Sequence, residues 1–317
     1  MRLNLPILEH VQSCNNVLIA GMGGGFDLFC GLPIYFELTH RGQNVHLASY
    51  SFSETSIIQN TIRLSDSLVG VTADSETPFA YFPEGYLAKW FRAEQQQEIT
   101  LWCFEKTGVR PLIDNYRTLI DHLDIDAIIL VDGGVDSLLR GDEAQIGTIL
   151  EDAISLIAVS ELKQIPIRIM ACLGFGAEQD MHYAHVFENI AKLTDLNAFL
   201  GTCSLHKQME AYQLYDAAVS FVQAQPGQDS SVINSSVISA VRGHYGNHHL
   251  TEKTRGSKLW ISPLMAMYWF FEVAAVARRN LLFSNLRYTD TRTEAYRGLI
   301  QARRGLSLRK PSKIPLP

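Results

Sequence analysis

The sequence predicts an α/β fold: a doubly wound, mainly parallel sheet with helices on both faces, followed by a helical C-terminal extension. Three observations carry that expectation. Short unbroken apolar runs alternate with amphipathic helical patterns through the first two-thirds of the chain, as strands covered on both faces require. Glycine-rich segments follow several of these runs, where right-handed crossovers would gather the strand-to-helix loops at one sheet edge. Beyond about residue 204 the strand signal fades and helical patterns dominate.

The elements follow in order. Val17–Ala20 reads as a buried strand and Phe26–Leu38 as the helix after it. Val45–Ala48 is a second strand and Leu101–Phe104 a weaker third. A helix opened by Pro111 comes next, with Leu112, Tyr116, Leu119, Ile120 and Leu123 on one face; proline fits a first turn because that N–H has no partner within the helix. Ala127–Val131 is the clearest strand, and the helix after it shows Ile146, Ile149, Leu150, Ala153, Ile154 and Ile157 as one buried stripe. Ile167–Ala171 and Tyr183–Leu193 repeat the strand–helix pair, and Gly201–Ser204 reads as a further strand-edge loop. Helices are expected over Leu205–Gln223, Val232–Val241, Leu264–Phe283 and Thr291–Arg303, with Asp229-Ser230-Ser231 offering N-cap chemistry. Residues 1–304 are expected as one domain. Residues 305–317, rich in proline and basic side chains, are expected as a mobile tail or a strap onto a neighbour.

Composition removes several classes of function. The 317 residues are 47% hydrophobic, too apolar for a disordered chain, and a net charge of -6 does not suit a protein that coats nucleic acid. Cys14, Cys30, Cys103, Cys172 and Cys203 are widely spaced and include no CxxC, so neither a disulfide framework nor a zinc ribbon is indicated. A reduced, cytoplasmic setting fits them. The N-terminus lacks the pattern of a signal peptide. The apolar run from Leu264 is interrupted by Glu272 and Arg278-Arg279, short of the roughly 18 to 20 residues of a membrane span. The expected partner is a small molecule, not nucleic acid or a membrane.

Two loops point to where it binds. Gly21-Met22-Gly23-Gly24-Gly25-Phe26-Asp27 follows the first strand. Its glycines let a ligand approach backbone N–H groups, and the next helix would add a partial positive charge, so phosphate or carboxylate is the natural guest. GxGxxG fails at Phe26, no acidic residue ends the second strand (Ser49-Tyr50-Ser51 stand there), and no GK[ST] follows. A nicotinamide dehydrogenase and a P-loop NTPase are therefore disfavoured. Asp27 reads either as an ordinary first-turn carboxylate or as a group facing a metal or a ribose hydroxyl.

Asp132-Gly133-Gly134-Val135-Asp136-Ser137-Leu138-Leu139-Arg140-Gly141-Asp142-Glu143 begins at the end of the clearest strand. Asp132 and Asp136 flank two glycines, and such clustering costs repulsion unless a cation, a shared proton or Arg140 offsets it. Mg²⁺ is the expected cation, since it prefers oxygen ligands and keeps waters that contact phosphates. Asp142 and Glu143 suit a helix N-terminus without any ligand. A third loop, Gly174-Phe175-Gly176-Ala177-Glu178-Gln179-Asp180, leads to His182 and His185, a conceivable metal pair more readily read as two helix-surface histidines. Cys203 shows no partner that would make it a catalytic thiol. Arg242–His249 holds three histidines and reads as a lid carrying a general base, as a zinc site lacking its other ligands, or as a polar loop folded over the domain.

Together, GMGGGFD and DGGVDSLLRGDE resemble domain-of-unknown-function family 1152, an archaeal and bacterial family, from about Val17 to Arg304. The resemblance implies a Rossmann-like α/β fold and brings no activity with it. It implies as pocket residues Gly21, Gly23, Gly24, Gly25 and Asp27, then Asp132, Gly133, Gly134, Asp136, Arg140, Asp142 and Glu143. The expected function is a hydrolase or transferase acting on a nucleotide or another phosphorylated metabolite. In that scheme the glycine N–H groups hold the anion, Asp132 and Asp136 position Mg²⁺ or activate water, Arg140 offsets charge, and His244 or His248 transfers a proton. A non-catalytic nucleotide sensor and an interaction scaffold are the alternatives. The apolar Leu264–Phe271 run beside Arg292, Arg297, Arg303 and Arg304 suggests either a homodimer interface or a core helix followed by a solvated one.

Overall fold

The computed structural model describes residues 1–178 and 181–312. Its strands are β1 (Asn16–Gly21), β2 (Asn44–Tyr50), β3 (Ile62–Ser65), β4 (Leu68–Val71), β5 (Leu101–Phe104), β6 (Ala127–Gly133), β7 (Ile167–Leu173), β8 (Phe199–Ser204) and β9 (Met267–Glu272). All belong to one sheet, in the order β3-β4-β5-β2-β1-β6-β7-β9-β8. The five central strands, β5, β2, β1, β6 and β7, pair in parallel, and the pairs outside them are antiparallel. This is a Rossmann-like, mainly parallel arrangement. The chain fills one side of β1 with β2 and later places β6 on the other, so strand order reverses between β1 and β6. Ligands bind at that crevice in open α/β sheets.

Why the strands are central is plain from their residues. Ala127 to Asp132 of β6 are all buried, and alternate side chains enter opposite cores. Leu18, Ile128 and Leu130 join a core with helices α5 (Val109–Leu123), α6 (Ile149–Ser160), α7 (Tyr183–Asp195), α10 (Val273–Arg279), α11 (Phe283–Leu286) and α12 (Arg292–Arg304). Val17, Ile19 and Ile129 join the other, with α1 (Leu8–Val11), α2 (Asp27–Cys30), α3 (Leu32–His40), α4 (Pro83–Gln95), α8 (Glu210–Gln223) and α9 (Val232–Val241). Ser231 caps α9 through the N–H of Asn234, and Thr291 and Glu294 form a reciprocal capping box on α12. Among the described residues no helix is long and apolar enough to cross a membrane.

Several expectations are corrected. The helix expected over Phe26–Leu38 is two helices, α2 and α3, broken at Gly31. A Cβ at Gly31 would stand 2.6 Å from Ile19 and 3.2 Å from Val131, so the backbone lies hard against the sheet. Pro33 also has no N–H for a continuous helix and would crowd the carbonyl of Phe29. The expected helix Leu264–Phe283 is instead a 3₁₀ turn (Pro263–Ala266), strand β9 and helix α10. β9 lies inside the sheet, and Tyr268, Phe270 and Phe271 are fully buried within this chain. Gly201–Ser204 lies within β8 rather than in a loop. The helix expected from Leu205 begins at Glu210. The β3–β4 hairpin and α4 were not anticipated.

The segment after residue 304 straps onto its own domain. Arg309 forms a backbone bridge with Glu143 and ion pairs with Asp142 (3.1 Å), Glu143 (2.5 Å) and Glu188 (2.7 Å). Residues 313–317 of the expected tail, and Gln179 and Asp180 of the third loop, lie outside the described residues.

Candidate functional site

The carboxyl ends of β1 and β6 bring the first two loops together at the reversal of strand order. Asp27 opens α2, and its Oδ2 accepts the N–H of Gly23 at 2.8 Å. Asp132 ends β6, and its Oδ2 accepts the N–H (3.2 Å) and the hydroxyl of Ser137. Asp136 Oδ2 accepts the N–H (2.9 Å) and hydroxyl (3.2 Å) of Thr148. Glu178, from the loop after β7, accepts the N–H of Val135 at 2.9 Å through Oε2. Each loop carboxylate is thus fixed through one oxygen by the backbone of the loops themselves.

A fifth carboxylate was missed. Asp152 lies in the first turn of α6, 3% exposed, and its Oδ1 is buried without a hydrogen-bond partner among the described residues. One oxygen from each of Asp27, Asp132 and Asp152 lies within 4.8 Å of the others. Asp136 touches both Asp152 and Glu178. The expected single stripe of α6 explains the miss: every residue from Ile149 to Val159 is buried, so Asp152 faces the interior rather than solvent. Its signal in the sequence is the acid pair Glu151-Asp152 inside a helix whose other residues are apolar or serine. Ser155 fixes this helix to the first loop by donating to the carbonyl of Met22 at 2.6 Å.

The glycines serve this cluster sterically. A Cβ at Gly133 would stand 2.6 Å from Asp27 Oδ1, one at Gly134 2.8 Å from the Glu178 carboxyl, and one at Gly147 2.8 Å from Asp136 Oδ2. At Gly23 it would fall on the oxygens of Asp152 and Asp27. Gly21 instead lets α2 close on β1, with Leu28 N 2.6 Å from the position of its missing Cβ. The expected anion loop is therefore modified: the N–H of Gly23 is taken by Asp27, and α2 is four residues long, too short to supply much dipole. Gly24 and Gly25 line an open cavity with Asp27.

Carboxylates crowded away from water resist ionisation. Burial, with repulsion from neighbouring carboxylates, pushes Asp132, Asp152 and Glu178 well above the ordinary carboxylate range and Asp27 up to about 7; burial also raises Asp136, held back by its hydrogen bonds with Asp152, Thr148 and Glu178. Such a group is held together by shared protons or by a cation. These oxygens, within 4.8 Å of one another, stand at or slightly beyond the roughly 3 to 4 Å between oxygens around Mg²⁺ at about 2.1 Å, so Asp27, Asp132 and Asp152 would hold such a cation by drawing slightly closer together.

The other expected residues lie elsewhere. Arg140 pairs with Asp142 at 3.8 Å, and its Nε is buried without a partner among the described residues. Asp142 and Glu143 do not begin a helix, since α6 starts at Ile149; Glu143 accepts the N–H groups of Arg140 (3.1 Å) and Gly141 (2.8 Å) and pairs with Arg309. His244 is exposed and stacks on His248 with ring centroids 3.7 Å apart. His185 meets the carbonyl of Lys310 at 2.9 Å, and among the described residues no metal-ligating group includes it or His182. Partial burial pushes the Cys203 thiol up to about 12, which suits a packed side chain rather than a nucleophile. The acid absent from the end of β2 is supplied by α4: Glu84 is fully buried there and accepts the hydroxyl of Ser53 at 2.8 Å. Of the residues expected at a dimer interface, Arg292 pairs with Glu151 at 2.6 Å and Arg303 donates to the carbonyls of Gly141 and Glu143.

Fold and site together define a Rossmann-like α/β chain with a buried carboxylate centre at its topological switch point. The chain belongs to the family described as Protein of unknown function (DUF1152), whose profile matches residues 18–304. No curated protein and no solved structure matches it significantly.

Proposed function

We propose that the chain is a Mg²⁺-dependent enzyme, of hydrolase or transferase type, acting on a nucleotide or another phosphorylated small molecule in the cytoplasm. One observation carries this reading: oxygens of Asp27, Asp132 and Asp152 within 4.8 Å of one another, with the Asp152 Oδ1 buried and unpaired, beside a cavity that Asp27 also lines. A cation there would draw the phosphate of a substrate and supply Lewis-acid stabilisation of its developing charge. Asp27, Asp132 and Asp152 would hold it. Asp136, in contact with Asp152 and Glu178, is placed to hold or move a proton at its carboxylate. Arg140 and His244 have no role in this scheme. All five cysteines are free, in keeping with a reducing compartment.

The test is a thermal-shift titration of metal-stripped protein with Mg²⁺, alongside metal analysis and mass spectrometry of small molecules released from the purified protein. Wild type should be stabilised in a saturable way and Asp132→Asn should not. Equal responses of the two proteins, or none from wild type, would overturn the proposal.

A further inference from the structure

We propose that the cavity beside the carboxylate centre binds a nucleoside diphosphate or triphosphate as its Mg²⁺ complex, with Lys106 and Lys253 gripping the phosphates. This rests on the reading that Asp27, Asp132 and Asp152 hold a cation. The cavity has a volume of about 540 Å³, and Gly24, Asp27, Phe52, Tyr81, Lys106 and Lys253 are among its walls. That volume lies within the usual range for a small-ligand site.

The cavity carries charges of both signs, with Asp27 and Asp229 as its carboxylates and Lys106 and Lys253 as its ammonium groups. Asp27 contributes a carboxylate at one side, which repels a bare phosphate and admits one that carries a cation. The unpaired, buried Asp152 oxygen behind it is a second mark of a missing positive partner. Lys106 and Lys253 supply ammonium groups to the same cavity. Their present partners are weak. Lys106 sits 4.9 Å from the centre of the Phe52 ring, and Lys253 pairs at 3.5 Å with Asp229, both members of that pair being half exposed or more. Exposed pairs of this kind contribute little, and a charge-assisted bond to phosphate is stronger, so both lysines exchange readily onto a ligand. A cation at one side and two ammonium groups elsewhere suit a chain of phosphates better than a single one.

The remaining wall is aromatic. Phe26 and Tyr81 meet edge to face at 6.4 Å, and Phe52 is 40% exposed although wholly apolar. A sugar phosphate leaves these rings wet, whereas a nucleobase covers them.

Calorimetry on the full chain separates the possibilities, using ADP, GDP, UDP, inorganic pyrophosphate and ribose 5-phosphate, each with Mg²⁺. At least one nucleoside diphosphate should bind about 10-fold or more tightly than pyrophosphate and ribose 5-phosphate. Lys106→Ala and Lys253→Ala, both at exposed positions, should each weaken that nucleotide roughly 5-fold or more and leave stabilisation by Mg²⁺ alone unchanged. Pyrophosphate binding as tightly as every nucleotide, no nucleotide binding, or lysine variants indistinguishable from wild type would overturn the assignment. If stabilisation by Mg²⁺ alone persists in those cases, the cation reading survives and only the nucleotide assignment falls.

Discussion

Asp152→Asn should act in opposite directions on the metal-free and metal-bound protein. An oxygen of Asp152 lies within 4.8 Å of ones on Asp27 and Asp132. Two like charges at that distance repel by about 3 kcal/mol at an effective dielectric near 20. The folded protein escapes much of this by holding protons, so removing one charge at pH 8 should relieve roughly 1 to 3 kcal/mol. The amide keeps the volume of the carboxyl and finds carboxylate acceptors around it, so little is lost in packing. For a chain of this size the gain corresponds to a rise in Tm of about 1.5 to 4.5 °C. At pH 5 Asp27, raised to about 7, holds its proton and the gain should shrink. With saturating Mg²⁺ the order reverses, because wild type gains from the cation and the variant lacks a ligand. Scanning calorimetry at both pH values, with EDTA and then Mg²⁺, reads all four states. A variant less stable than wild type at pH 8 in EDTA, with its response to Mg²⁺ intact, would refute the reasoning.

Other expectations follow from the same geometry. Asp27 is raised from 3.8 to about 7 in the folded state, so its contribution to metal-free stability is full below about pH 4 and is lost as pH rises through 7; Tm in EDTA should fall between pH 5 and 8, and Mg²⁺ should restore more at pH 8 than at pH 5. Calorimetry in buffers of different ionisation enthalpy should show proton release when Mg²⁺ binds at pH 6.5. Gly133→Ala places a Cβ 2.6 Å from Asp27 Oδ1 and should abolish the Mg²⁺ response while thermal unfolding stays cooperative. Arg309→Ala leaves Glu143, 1% exposed, without its cation and should cost about 1 to 3 kcal/mol, measured by urea denaturation.

The parallel strands were legible because each is an apolar run too short for a helix and covered on both sides. Leu264–Phe283 was misread for a related reason. An internal strand buried on both faces shows no alternation, and the flanking Leu264, Met265 and Ala266 favour a helix. The aromatic cluster Tyr268-Trp269-Phe270-Phe271 was the strand signal that should have weighed more. At the site, Asp27, Asp132 and Asp136 were readable because they sit in glycine-rich loops at strand ends. Asp152 and Glu84 reach the same edge from helices, where sequence position says nothing of the strand they approach. Arg140 lies between Asp136 and Asp142 in sequence, yet among the described residues its ion pair is with Asp142. Nearness along a loop did not decide which acid it would meet.

The place of β9 between β7 and β8 bears on the order in which the protein can assemble during synthesis. β8 leaves the ribosome well before β9, yet it joins the sheet only through β9. Until β9 has been made, the outer edge of β7 stays unpaired beside a waiting β8, a pairing hazard that grows with the delay. The strap at Arg309 arrives later still, so the loop it anchors is secured only after β9 has been made. A ribosome-bound chain stopped before residue 267 should therefore present an open sheet edge to chaperones.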